Sequence, residues 1–145
     1  MQAKEQGFTL IELIVVITIL GILAAFALPR FMNMQEDARI ATLKGLAGSL
    51  QASSAMVHGK ALARGVTTGT LAIGDGQTVT LVNGYPSAAT VSNTIQDLNG
   101  FTVTTGNPAT FAPVGVANRN NCQVRYTQAT ATLPPVIATI STNCN

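Results

Sequence analysis

The sequence predicts an α+β protein: a long N-terminal helix, half of it transmembrane, packed on an antiparallel sheet, with a C-terminal region closed by a disulfide. Three observations lead there. Phe8 to Leu28 is a run of 21 residues whose one charge is Glu12. An amphipathic pattern follows from Arg30 to His58. Beyond it, stretches rich in Thr and Val alternate with Gly, Asn and Pro, and the two cysteines, Cys122 and Cys144, fall near the end.

The apolar run comes first. As a helix rising about 1.5 Å per residue it is about 31 Å long, close to the hydrocarbon thickness of a bilayer. It carries no polar stripe, which sets it against a core helix. Glu12 is the exception within it. An ionised carboxylate is costly in lipid, so such a group is either near an interface, where it can snorkel, or held by a partner cation. Gly21 weakens the helix, and Pro29 ends the apolar run and kinks a helix that continues past it. Ala25-Phe26-Ala27 supplies an A-x-A pattern, so an ordinary secretory signal is the competing reading. An unusually long apolar run, Glu12 inside it, and a leader with Lys4 balanced by Glu5 weigh against that reading.

From Arg30 to His58, Ile40, Leu43, Ala47, Leu50, Ser54 and Val57 recur at spacings of three and four, with Phe31, Met34, Ala38 and Ala41 as a second stripe. The reading is one helix from Phe8 to about Val57, capped by Gly59 or Gly65. Gly45 and Gly48 permit close approach of another backbone. Glu36 and Arg39 are placed to pair on the outer side. Thr70–Ile73 and Thr78–Val82 flank Gly74-Asp75-Gly76-Gln77 as a hairpin, and Asn83-Gly84-Tyr85-Pro86 is a turn. A short helix is expected next, with Ser87 as N-cap, Ala88, Val91, Ile95 and Leu98 on one face, and Asn99-Gly100 at its end. Phe101–Thr104 is a strand, 112–121 a loop, and 122–127 and 136–140 a hairpin centred on Leu133. That centre places Cys122 opposite Cys144, where a disulfide can form outside the cytoplasm; two free thiols are the alternative.

Composition narrows the function. Lys plus Arg is 8 and Asp plus Glu is 6, a net charge of +2, too weak and too scattered to point to a specific nucleic-acid partner. The single histidine, His58, has no nucleophile or carboxylate at a suggestive spacing, and Asp75 and Asp97 lie in separate segments. The expectation is no enzyme activity, no cofactor and no metal site; two Cys and a distant His make a poor ligand set.

Gly7-Phe8-Thr9-Leu10-Ile11-Glu12 followed by the apolar run resembles the class III signal of type IV prepilins. The resemblance implies cleavage between Gly7 and Phe8 by a membrane prepilin peptidase and N-methylation of Phe8. It implies an assembly role for Glu12, whose carboxylate meets the Phe8 amine of a neighbouring subunit. It also implies that the helix between Gly21 and Pro29 can kink or melt in a filament. The chain then divides into a leader, 1–7; a transmembrane and filament-core helix, 8–29; and a periplasmic or extracellular globular domain, 30–145, with the type IV pilin fold. The stretches 27–39, 42–46 and 59–61 are similar to the mannose-sensitive haemagglutinin (MSHA) pilins of gammaproteobacteria. That likeness implies the major subunit of a pilus used in cell adhesion and biofilm formation. The protein would wait in the inner membrane of a Gram-negative bacterium, single-pass, and then join an extracellular homo-oligomeric filament, driven by an inner-membrane assembly platform and motor. A type II secretion pseudopilin is the alternative. Its major form carries an acidic calcium loop near the C-terminus and usually no disulfide, whereas residues 101–145 here contain no Asp or Glu and both cysteines.

Overall fold

The computed structural model describes residues 7–145, except for the side chains at positions 28–33. Helix α1 spans Leu10–Ala63. The chain divides into two compact units, Met1–Gln35 and Glu36–Asn145. The expected leader thus lies outside the described residues except for Gly7, and so does the side chain of Pro29.

In the first unit, Leu10–Ala27 is apolar and long enough to cross a membrane. Its polar hydroxyl is satisfied internally: Thr18 Oγ1 donates to the Ile14 carbonyl at 2.6 Å, as a helix in lipid requires. Position 21 and position 29 are both helical here.

In the second unit, α1 buries one stripe, Leu43, Leu46, Leu50, Ser54, Val57 and Ala61. Leu46 replaces the expected Ala47 as the deeper residue, while Met34, Ala38 and Ala41 of the expected second stripe are exposed. The helix passes Gly59 and stops at Gly65, whose φ of 67° is left-handed. There the Gly65 amide donates to the Leu62 carbonyl and the Val66 amide to the Ala61 carbonyl, both at 3.0 Å. These are the paired bonds of a Schellman cap.

Two antiparallel sheets follow, where one was expected. The first holds β1 (Gly69–Gly74), β2 (Gln77–Val82) and β3 (Tyr85–Pro86) in sequence order. Asp75 and Gly76, at φ 49° and 73°, make the tight β1–β2 turn, and Asn83 and Gly84, at 52° and 80°, make the next. A bulge at Ile73 shifts the register between Ala72 and Gly74. The second sheet orders β4 (Phe101–Thr104), β5 (Ala109–Pro113), β6 (Cys122–Thr127) and β7 (Val136–Ser141). Part of β5 falls in the stretch read as loop.

The expected helix after Ser87 is only a 3-10 turn, Val91–Thr94. Polar side chains tie this segment to β2 instead: Thr90 Oγ1 accepts from the Thr80 amide at 3.0 Å and Asn93 Nδ2 donates to the Thr78 carbonyl at 2.9 Å. Ala88 and Val91 are nevertheless buried, with Ile95 and Leu98 packed beside them.

The helix stripe serves both sheets in turn. Leu43, Leu46 and Leu50 join Val91, Phe111, Val124 and Tyr126 in one core cluster, and Val57 and Ala61 join Leu71, Val79 and Leu81 in another. Tyr126 links the sheets, its hydroxyl donating to the Pro86 carbonyl at 2.7 Å. Burial pushes the Tyr126 phenol up to about 12; the nearby Ser54 hydroxyl works the other way and Tyr85 adds to the rise. Ser54 Oγ lies near the phenol but makes no hydrogen bond of good geometry among the described residues. The unfolded phenol, near 10, ionises first as pH rises, so stability is full below about pH 10 and declines through about pH 12. The loss amounts to roughly 2–3 kcal/mol at about 1.4 kcal/mol per unit. Denaturant unfolding of the full chain between about pH 9 and 12 should show this decline, and Tyr126→Phe should flatten it. An equal decline in the variant would place the alkaline weakness elsewhere.

Candidate functional site

The N-terminal signal is open. Gly7, Phe8 and Thr9 precede the first helical residue and are exposed, Phe8 by 92%. A protease reaching the Gly7–Phe8 peptide bond therefore meets backbone free of helical hydrogen bonding. Helix α1 begins with a reciprocal cap. Thr9 Oγ1 accepts from the Glu12 amide at 3.3 Å, and Glu12 Oε2 accepts from the Thr9 amide at 2.9 Å. The same oxygen takes the Thr9 hydroxyl at 2.7 Å. This is the capping box, Thr-x-x-Glu, and it was legible in Thr9-Leu10-Ile11-Glu12. Sequence reasoning attended to the charge of Glu12 and missed its local partner. Because Oε2 takes both bonds, Oε1 has no partner among the described residues and can meet a cation from outside the chain.

The C-terminal region is closed as expected, by a Cys122–Cys144 disulfide with Cα atoms 5.0 Å apart and both residues buried. The register differs from the expected one. Cys122 pairs with Ser141 and Gln123 with Ile140, so the hairpin centres between Ala131 and Thr132. The cause is a turn closed by Thr130, whose amide donates to the Leu133 carbonyl at 2.9 Å and whose Oγ1 accepts from the Leu133 amide at 3.1 Å. Pro134 and Pro135 consequently lie on the return leg. Cys144 reaches Cys122 from beyond β7, where the Thr142 amide donates to the Asn121 carbonyl at 3.0 Å.

Glu36 and Arg39 do not form the expected pair; they share a different target. Arg39 Nη1 donates to the Cys144 carbonyl at 2.6 Å, Nη2 to the Gly115 carbonyl at 3.3 Å, and the Cys144 amide donates to Glu36 Oε1 at 3.4 Å. Two charged side chains one helical turn apart thus grip both polar groups of one disulfide residue. His58 lies within α1, its Nδ1 3.0 Å from the Gly84 carbonyl and its ring stacked on Tyr85 at 3.9 Å. Gly84 is required twice over: its φ is left-handed, and a Cβ would meet His58 Nδ1 at 3.1 Å. Among the described residues, no three His, Cys, Asp or Glu side chains gather as a metal site.

The prokaryotic N-terminal methylation motif matches residues 2–28. With that motif, the apolar helix behind it and the disulfide-closed α+β architecture, the chain carries a class III prepilin signal on a type IV pilin fold. More particularly, it is similar to pilins and to a secretion protein. The type II secretion system core protein G of Pseudomonas aeruginosa is 50% identical over 46 residues, 31% of this chain and 32% of that protein. The type IV narrow pilus major component of Thermus thermophilus is 42% identical over 53 residues, 37% of this chain and 46% of that one. The type IV major alpha-pilin of Moraxella bovis is 41% identical over 58 residues, 39% of this chain and 36% of that one. The chain spans less than half the length of each of these relatives. No solved structure gives a significant match.

Removing the Arg39 grip should free the C-terminal tail. Arg39→Ala should lower stability by about 1–2 kcal/mol, the range for hydrogen bonds to a charged group discounted for partial exposure. It should also speed hydrogen exchange at the Cys144 amide. Unchanged exchange at that amide would show that Glu36 and the disulfide hold the tail without Arg39.

Proposed function

We propose that this chain is the major structural subunit of an MSHA-like type IV pilus, with a structural rather than catalytic role. The observation that carries this reading is the outer face of α1 in the second unit. Ala38, Ala41, Gly45, Gly48, Ala52, Ala55 and Gly59 recur at alternating spacings of three and four, and all are exposed. A Cβ at Gly45, Gly48 or Gly59 would meet nothing within 4 Å. Small residues in such a row let a second helix backbone approach closely. The first unit adds an unpartnered apolar helix, and together these suit a filament core built from copies of α1.

In this reading a prepilin peptidase removes residues 1–7 and Phe8 is N-methylated. The helix 8–29 holds the subunit in the inner membrane of a Gram-negative cell, with 30–145 outside it. An assembly platform and motor then transfer the helix from lipid into the filament. Lipid already hides the apolar surface, so the gain on transfer comes from helix packing and from Glu12. The capped carboxylate of Glu12 offers its free Oε1 to the new amine of a neighbour, which removes the penalty of an unpaired charge. Gly21 to Pro29 is the stretch proposed to kink or melt on that transfer, and cryo-EM of the filament reads it directly. The filament would serve adhesion to a host or abiotic surface and biofilm formation. The second reading, a type II secretion pseudopilin, draws on the likeness to core protein G. The disulfide and the lack of Asp or Glu in residues 101–145 favour the pilus.

The test is intact mass and N-terminal sequencing of material sheared from cells. A filament of chains beginning at methylated Phe8, with the disulfide oxidised, is expected. Its absence from sheared material, with the processed chain retained in the envelope, would favour the pseudopilin, and a chain beginning at Leu28 would mean ordinary secretion. Glu12→Ala should leave cleavage intact and abolish most assembly; normal filaments from that variant would remove the pairing role.

A further inference from the structure

The face of the second sheet turned away from α1 has no part in the reading above. Its composition follows from the register. Thr104 pairs with Thr110 and Thr110 with Arg125, giving one row across β4, β5 and β6. Thr102 pairs with Ala112, and Gln123 with Ile140, giving a second. Alternation puts Phe111, Cys122, Val124 and Tyr126 on the opposite, core side. The result is a groove of about 410 Å³, edged by Arg119 from the 3-10 turn before β6 and by Arg125.

Its charge is one-sided. Among the described residues no acidic one lines it, and residues 101–145 contain none. Both arginines are exposed, and neither guanidinium has a hydrogen-bond or ion-pair partner among the described residues. Gln123 is a built element of the wall: it is only 7% exposed, and its Nε2 donates to the Asn120 carbonyl at 3.3 Å. Its amide oxygen has no partner among the described residues. The threonine hydroxyls can each donate and accept.

We propose that this groove binds an acidic sugar, a uronate unit of an anionic polysaccharide. A guanidinium presents a planar fork that matches a carboxylate in two parallel hydrogen bonds. The threonine hydroxyls and the Gln123 amide match the ring hydroxyls of the same unit, and the volume lies in the range of small-ligand sites. The lining argues against other anionic partners. Among the described residues no aromatic side chain lines the groove, so nucleic-acid bases have nothing to stack on there. Its apolar groups are limited to Ala112 and Ile140 and aliphatic stems, too few for the core of a protein interface. The site belongs to one sheet of one subunit and shares no residue with the Ala and Gly row of α1.

The test is calorimetry on the full chain in detergent micelles, which does not depend on assembly. A galacturonate tetramer should bind, and binding should weaken as ionic strength rises from about 0.05 M to about 0.2 M. Arg125→Gln should weaken it by about tenfold, the scale of one charge-assisted pair, and adding Arg119→Gln should abolish it. Arg64→Gln, outside the groove, should leave it unchanged. Both groove arginines are exposed, so these substitutions should leave thermal unfolding nearly unaltered. A neutral mannose tetramer should not bind in a manner sensitive to Arg125→Gln. Absence of uronate binding, uronate binding indifferent to both arginines, or displacement of uronate by a thymidine tetramer at lower concentration would each overturn the proposal. Equal displacement by inorganic phosphate would do so too, since it would reveal an unselective anion site.

Discussion

Both sheets of the second unit lean on one stripe of one helix. Leu43, Leu46 and Leu50 close the core under the four-stranded sheet, and Val57 and Ala61 close the core under the three-stranded one. Each sheet is too small to bury itself, and the stripe supplies the missing layer. The direct link between the two sheets described here is narrow, the bond from Tyr126 to the Pro86 carbonyl. Because the stripe takes up one side of α1, the other side remains exposed and carries a row of Ala and Gly. Folding and the proposed association of copies therefore use opposite faces of the same element and do not compete.

Much of this was legible in the sequence where one physical cause dominates. The apolar span, the spacing of Leu43, Leu50 and Val57, and the turn residues around Asp75-Gly76 each follow from local chemistry. Strands β4, β6 and β7 alternate well enough to be read. Strand β5 does not. Ala109-Thr110-Phe111-Ala112-Pro113 has weak β propensity, and it is a strand because β4 and β6 pair with it on either side. The segment after Ser87 has the apolar spacing of a helix, but the Thr90 and Asn93 side chains find partners on β2. Division into two sheets is likewise a tertiary outcome that periodicity does not carry.

The charged residues teach a related lesson. Arg39 and Glu36 stand at the spacing of a helical ion pair, yet both turn to Cys144, more than a hundred positions away. Spacing along a helix states which side chains can meet and not which partner wins. A backbone carbonyl and amide fixed by a disulfide need partners in a buried setting, and they outcompete a solvated pair of modest worth. Glu12 shows the reverse. Its nearest partner, Thr9, is local and is written in the sequence as a capping box, Thr-x-x-Glu, inside the apolar run.

The closed C-terminal region has a mechanical meaning. Cys122 and Cys144 are 22 positions apart, which is about 75 Å of extended chain at about 3.4 Å per residue. That length cannot be paid out under tension while the disulfide stands, so a subunit pulled along its chain can lengthen only through the residues outside the loop. The grip of Arg39 and Glu36 fastens the same knot to α1, the element through which load would enter. Strain in a stretched chain would thus fall on residues before Cys122, strands β4 and β5 included, while the β6–β7 hairpin that carries Arg125 would stay closed.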